Sequence, residues 1–62
     1  MVTKEQFEEY VKVQYKGLYN MITDWEEAIK GTSLNKDQWF YIIKNYNELA
    51  DVIYPEVLEK YE

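Results

Sequence analysis

Two pairs of adjacent carboxylates, Glu8–Glu9 and Glu26–Glu27, are the residues of this chain that most resemble acid–base or metal-binding groups. Both pairs fall in segments with helical periodicity, where neighbouring side chains project about 100° apart, so neither pair converges on one proton or one metal ion. Histidine and cysteine are absent from the 62 residues, which excludes Ser–His and Cys–His nucleophile systems and thiolate metal sites. The sequence therefore predicts no enzyme activity, no cofactor and no metal.

The charge distribution argues against direct contact with nucleic acid. Seven lysines, with no arginine, are dispersed among twelve carboxylates, and the formal net charge is −5. Binding to phosphates needs a clustered cationic surface, and arginine is the usual reader of base edges. No apolar stretch approaches the ~18 residues of a membrane span, and no signal-peptide pattern is present. We expect a cytoplasmic protein without nucleic-acid or membrane contacts.

Aromatic side chains, 18% of the residues, are too frequent for a disordered acidic tail. Most belong to apolar helix stripes and are expected in the core, but a few lie apart from those stripes. Protein interfaces favour such residues. The residues predicted to contact a partner are Tyr19, Phe40, Tyr41, Lys44 and Tyr54. Whether the partner is a second copy or a foreign protein stays open at this point, and in a three-helix fold the same residues would belong to the core.

The first helix is predicted over residues 4–30. Thr3 and Gln6 form a capping box at its start. The apolar stripe then keeps alternating steps of four and three, through Phe7, Val11, Leu18, Met21, Trp25 and Ala28, with Gln14 in the one polar slot. Because this register continues across Gly17, and a glycine inside a helix costs only ~1 kcal/mol, we favour one helix with a bend. The alternative is a helix that ends at Gly17 in a left-handed cap.

A second helix is predicted over residues 36–53. Asn35 is its N-cap, with Gln38 at the third helical position, and Leu34 precedes the cap. The apolar stripe of this helix is Trp39, Ile42, Tyr46, Leu49 and Ile53. Pro55 disfavours helical geometry at the residue before it, so we expect a bend there and a short last helical piece containing Val57 and Leu58.

These elements predict a single all-α domain over residues 1–62, built on a long helical hairpin. Two antiparallel helices with such wide apolar faces cannot bury both faces against each other. Pairing two hairpins into a four-helix bundle would bury them, so a homodimer is expected. The alternative is a three-helix monomer broken at Gly17, which would hide the stripe within one chain.

The stretches EYVKVQYKGLYNM and LNKDQWFYIIKNYNEL resemble a group of small proteins encoded by phages and prophages of Gram-positive bacteria. Their pattern is E-Y-V-x-V-Q-x-S-G-x-x-N-M, followed by a leucine, a charged stretch and I-x-x-N-Y. The matching residues are Glu9, Tyr10, Val11, Val13, Gln14, Gly17, Asn20, Met21, Leu34, Ile43, Asn45 and Tyr46. Lys16 stands where serine is usual. The resemblance carries no catalytic residues; it implies expression in the cytoplasm of an infected bacterium.

The resemblance, the acidic charge and the excess apolar surface together predict a protein that binds and modulates a host protein. The specific form that the resemblance suggests is an anti-defence inhibitor, for example of a CRISPR or other nuclease. The alternative function is a structural or assembly component whose role is the oligomer itself.

Overall fold

Residues 2–61 are described by a computed structural model, and within this range every regular element is helical. The elements are α1 (Lys4–Lys16), α2 (Trp25–Ile29), α3 (Lys36–Lys44), α4 (Tyr46–Glu48), a π-helical turn (Leu49–Ile53) and α5 (Pro55–Glu59). The described residues form a body of 27 × 24 × 17 Å. The all-α prediction is confirmed.

Helix α1 begins at the predicted capping box. The Gln6 amide donates to Thr3 Oγ1 at 3.2 Å, and the Thr3 amide donates to Gln6 Oε1 at 2.9 Å. The helix ends at Gly17, which has φ 67° and ψ 17° and donates its N–H to the Gln14 carbonyl. The predicted continuous helix over residues 4–30 is therefore wrong, and the chain breaks at Gly17 as in the alternative.

The segment 17–24, called here the 17–24 loop, has its own hydrogen bonds in place of helical ones. Asn20 Oδ1 accepts the amides of Ile22 and Thr23 at 2.9 and 3.0 Å, and the Asn20 amide donates to Asp24 Oδ2 at 2.9 Å. Short polar side chains compete with a helix in this way. Together with the left-handed Gly17 they reverse the chain before α2.

The second predicted helix, over residues 36–53, is divided into α3, α4 and the π-helical turn. The Asn35–Gln38 capping box is present, with both bonds formed. The helix is interrupted at Asn45, where φ is −110° and the side-chain amide donates to the Tyr41 carbonyl at 2.9 Å. The predicted single helix over residues 36–53 thus needs correction. The change of direction before Pro55 and the terminal helix after it are confirmed.

The π-helical turn joins the last two helices. The Tyr54 amide donates to the Leu49 carbonyl at 2.8 Å, five residues back, and Pro55, which has no N–H, then starts α5. This wider turn keeps Leu49 and Ala50 buried and leaves Val52 exposed.

The core lies where α1 faces α3, the π-helical turn and α5. The largest fully buried side chains are Trp39, Phe7, Ile42, Leu49, Val11 and Val57. The Phe7 ring lies 5.9 Å from Tyr46 and 6.2 Å from Tyr54, and the Tyr10 ring meets Trp39 edge-on at 4.7 Å. One chain buries these residues by itself, so their burial does not require a homodimer. The homodimer stays a prediction, and it now depends on surfaces other than this core.

Candidate interaction surface

The carboxylate pair Glu8–Glu9, considered above as a possible acid–base or metal-binding pair, connects separate elements of the fold. Glu8 accepts Lys60 Nζ at 2.7 Å and also contacts Lys12 Nζ at 3.7 Å. Glu9 accepts the hydroxyl and the amide of Ser33, at 2.6 and 3.2 Å. The two neighbouring side chains thus reach different partners. Within residues 2–61, no group of three or more potential ligands is placed to hold a metal ion.

Contacts and burial in the folded chain shift the pKa values of several of its side chains. The hydrogen bond from Lys60 holds the pKa of Glu8 below its usual value, and the same bond raises the pKa of Lys60. Burial raises the pKa of Tyr10 to about 12, with a smaller contribution from the neighbouring Tyr46. A phenol with a raised pKa stays protonated near neutral pH and is a poor nucleophile. The arrangement supports structure, with no activated group among these side chains.

A set of exposed apolar side chains lies at the end of α1 and in the 17–24 loop. We call it the apolar loop surface; its members are Tyr15, Leu18, Tyr19 and Ile22, with exposed fractions of 52, 71, 39 and 60%. All four fall within eight consecutive residues. Several exposed large apolar side chains in one segment are candidates for contact with a partner. Leu18 had been predicted on the buried stripe, and the break at Gly17 exposes it.

The 17–24 loop is held against the core at one point. Trp39, fully buried in α3, donates its indole N–H to the Met21 carbonyl at 2.9 Å. At the end of α1, Tyr15 stacks on Tyr61 with ring centroids 4.7 Å apart and an angle of 12° between the planes. The contacts of Met21 and Tyr15 therefore fix the apolar loop surface relative to the rest of the molecule.

A second exposed apolar pair lies in the π-helical turn. Val52 is 73% exposed and Ile53 is 37% exposed, next to the exposed carboxylates of Glu48 and Asp51. Ile53 had been predicted on the buried stripe of the second helix. The five-residue spacing of the π-helical hydrogen bond shifts the register, so the later part of that stripe turns outward.

The five predicted partner residues differ in exposure. Tyr19 lies in the apolar loop surface, and Lys44 is exposed at the end of α3. Phe40 and Tyr41 are half-buried against the core, and Phe40 meets Trp25 edge-on at 5.7 Å. Tyr54 is also half-buried, and its hydroxyl donates to the Val2 carbonyl at 3.1 Å. Their role in binding a partner stays a prediction.

Residues 14–24 carry little of the negative charge. Their charged side chains are Lys16 and Asp24. Elsewhere, ion pairs join Lys4 to Glu56 at 3.4 Å and Lys30 to Glu27 at 3.1 Å. The excess carboxylates therefore lie outside the segment that carries the apolar loop surface.

No protein-family model, curated protein or solved structure matches this chain. The helices of residues 2–61 are all too short or too polar to cross a membrane. No pocket opens on the surface that these residues form.

Proposed function

We propose that this protein acts by binding another protein through the apolar loop surface, with no chemistry of its own. The observation that carries the proposal is the exposure of Leu18 and Ile22 in a chain that otherwise buries Phe7 and Val11 completely. Exposed aliphatic side chains lose contact with water when a partner covers them, and the burial of their apolar area favours association.

The partner in this proposal is a host protein of an infected bacterium. The resemblance to small phage and prophage proteins supports that setting. The net charge of −5 supports a partner with a basic surface, because opposite charge speeds the encounter of two proteins and fixes their orientation. Nucleases carry such surfaces where they hold nucleic acid, so an anti-defence inhibitor that covers one is the specific form of the proposal.

Two exposed aliphatic residues provide a matched test. Leu18→Lys places a charge on the apolar loop surface, and Val52→Lys makes the same charge change at an equally exposed position in the π-helical turn, with exposed fractions of 71 and 73%. Host proteins captured by the tagged wild-type chain are purified, and their binding to each variant is measured by calorimetry. For a captured nuclease, cleavage of its substrate is also followed.

We expect Leu18→Lys to weaken binding about tenfold or more, and Val52→Lys to change it little. Both variants should keep the circular dichroism spectrum of the wild type, because neither side chain is buried. Equal affinities for all three proteins would exclude the apolar loop surface as the binding site. Failure of every purified host protein to bind the wild type would contradict the function itself.

A further inference from the structure

The 17–24 loop interrupts a pattern that both of its ends still follow. Apart from Gln14, apolar residues occupy steps of four and three from Phe7 to Ala28, which is the spacing of a helix that packs along a partner helix. The ends of this stripe are buried in the folded chain, with Phe7 0% and Ala28 2% exposed, whereas Leu18 in its middle is 71% exposed. The loop thus carries apolar residues at stripe positions that are not buried in the single chain.

The broken form is maintained by the backbone of Gly17, by hydrogen bonds within the 17–24 loop and by one hydrogen bond from α3. Gly17 has a left-handed conformation, Asn20 accepts two amides, and Trp39 donates one hydrogen bond to the Met21 carbonyl. None of residues 17–24 is buried. Straightening this segment would therefore cost no fully buried side chain within it.

We propose that a second copy of this chain binds by exchange of α1. In the exchanged dimer the 17–24 loop becomes helical, α1 and α2 join into one helix, and α1 occupies the core of the second copy. The contacts of α1 form again between the chains, including Phe7 with Tyr54 and Glu8 with Lys60. Exchange of identical elements in this way keeps the core unchanged, so only the hinge decides between the two forms.

The residues of the hinge, which is the 17–24 loop, favour a second copy of the chain as the partner. Around a two-fold axis the two straightened segments of the proposed dimer run antiparallel, so Leu18 and Ile22 of each copy are covered by the other, and the single chain is the form that presents them to a host protein. Lys16, the last residue of α1, and Asp24 lie at opposite ends of residues 16–24, which places each lysine beside the aspartate of the other copy in the proposed dimer. Residues 16–24 have no net charge, so the two hinges meet without the repulsion expected elsewhere on a chain of charge −5.

The test uses the absence of cysteine from the chain. Glu8→Cys and Lys60→Cys are made as separate variants, since these two side chains touch at 2.7 Å in the monomer. The variants are mixed at millimolar concentration, and the dimer fraction is treated with a short bis-maleimide. The exchanged dimer should give a covalent product that contains one chain of each variant. A dimer fraction without that product would overturn the proposal.

Changes in the hinge give an independent measurement by sedimentation equilibrium. Gly17→Ala disfavours the left-handed cap and favours the helix in both hinges, so the dimer dissociation constant should fall by on the order of a hundredfold. Gly31→Ala, at the glycine without a positive φ, should leave it unchanged. Leu18→Lys in the Gly17→Ala background should restore the monomer. If Gly17→Ala is monomeric at millimolar concentration, exchange of α1 is excluded.

Discussion

Replacing Gly17 by alanine tests the feature that most changed the expected shape of this protein. Gly17 ends α1 with φ 67° and ψ 17°, and a Cβ added there would meet no atom within 4 Å. The substitution therefore introduces no steric overlap with the rest of the molecule. Its effect on stability comes from the backbone conformation alone.

The magnitude follows from two opposing contributions. A left-handed conformation costs a residue with a Cβ about 1–2 kcal/mol. Alanine also restricts the unfolded chain, which stabilises the fold by ~0.4–1 kcal/mol. We expect Gly17→Ala to lower the free energy of unfolding by about 1 kcal/mol. A domain with a total stability of roughly 3–5 kcal/mol would show this clearly.

Gly31→Ala is the matched control. Gly31 also has open space around its Cα, but its φ is not positive. Only the restriction of the unfolded chain applies there, so this variant should gain ~0.4–1 kcal/mol. The difference between the two variants isolates the cost of the left-handed conformation, about 1–2 kcal/mol.

The assay is thermal and urea unfolding followed by circular dichroism, at a concentration where sedimentation shows a single chain for each variant. Each kcal/mol corresponds to roughly 4–8 °C in Tm for a domain of this size. Equal melting temperatures for the two variants, or a more stable Gly17→Ala, would refute the left-handed cap and return the continuous helix.

Three further predictions concern the core and the ionisable groups. Trp39→Phe removes the hydrogen bond to the Met21 carbonyl and some core volume, so unfolding should require about 2–3 kcal/mol less, and trypsin should cleave after Lys16 faster. The pKa of Tyr10 is raised from 10.0 to about 12 in the folded chain. The stability that depends on its protonated form is therefore present below pH 10 and is lost as pH rises towards 12. In urea titrations across this pH range, Tyr10→Phe should lose less free energy of unfolding than the wild type. The pKa of Glu8 is lowered by Lys60, so its contribution is present above pH 4.5 and is lost as pH falls through the lowered value; Glu8→Gln should reduce this acid dependence in the same titrations.

The exposed surface illustrates what the sequence pattern leaves undetermined. Leu18 and Ile22 have the spacing of buried helix residues, and their exposure follows only from the break at Gly17. Val52 was not distinguished by its spacing, because the π-helical turn that exposes it has no sequence signature beyond the nearby Pro55. Of the predicted partner residues, Phe40, Tyr41 and Tyr54 have contacts within the fold, as in the three-helix alternative.

Local signals in the sequence determined where α1, α3 and α5 begin. The Thr3–Gln6 and Asn35–Gln38 capping boxes and the proline at position 55 act over one turn of the chain, so their effects are visible in a few consecutive residues. The all-α class followed from the same short-range patterns.

Whether the helix continues through Gly17 was decided by the tertiary structure. The sequence offered both an unbroken stripe and a glycine cap, and the two differ by only ~1 kcal/mol in local free energy. Contacts between residues 52 apart, Tyr54 with Val2 and Lys60 with Glu8, hold α1 against the C-terminal helices. Such contacts come from the packing of the whole chain, so a pattern within a few consecutive residues does not show them.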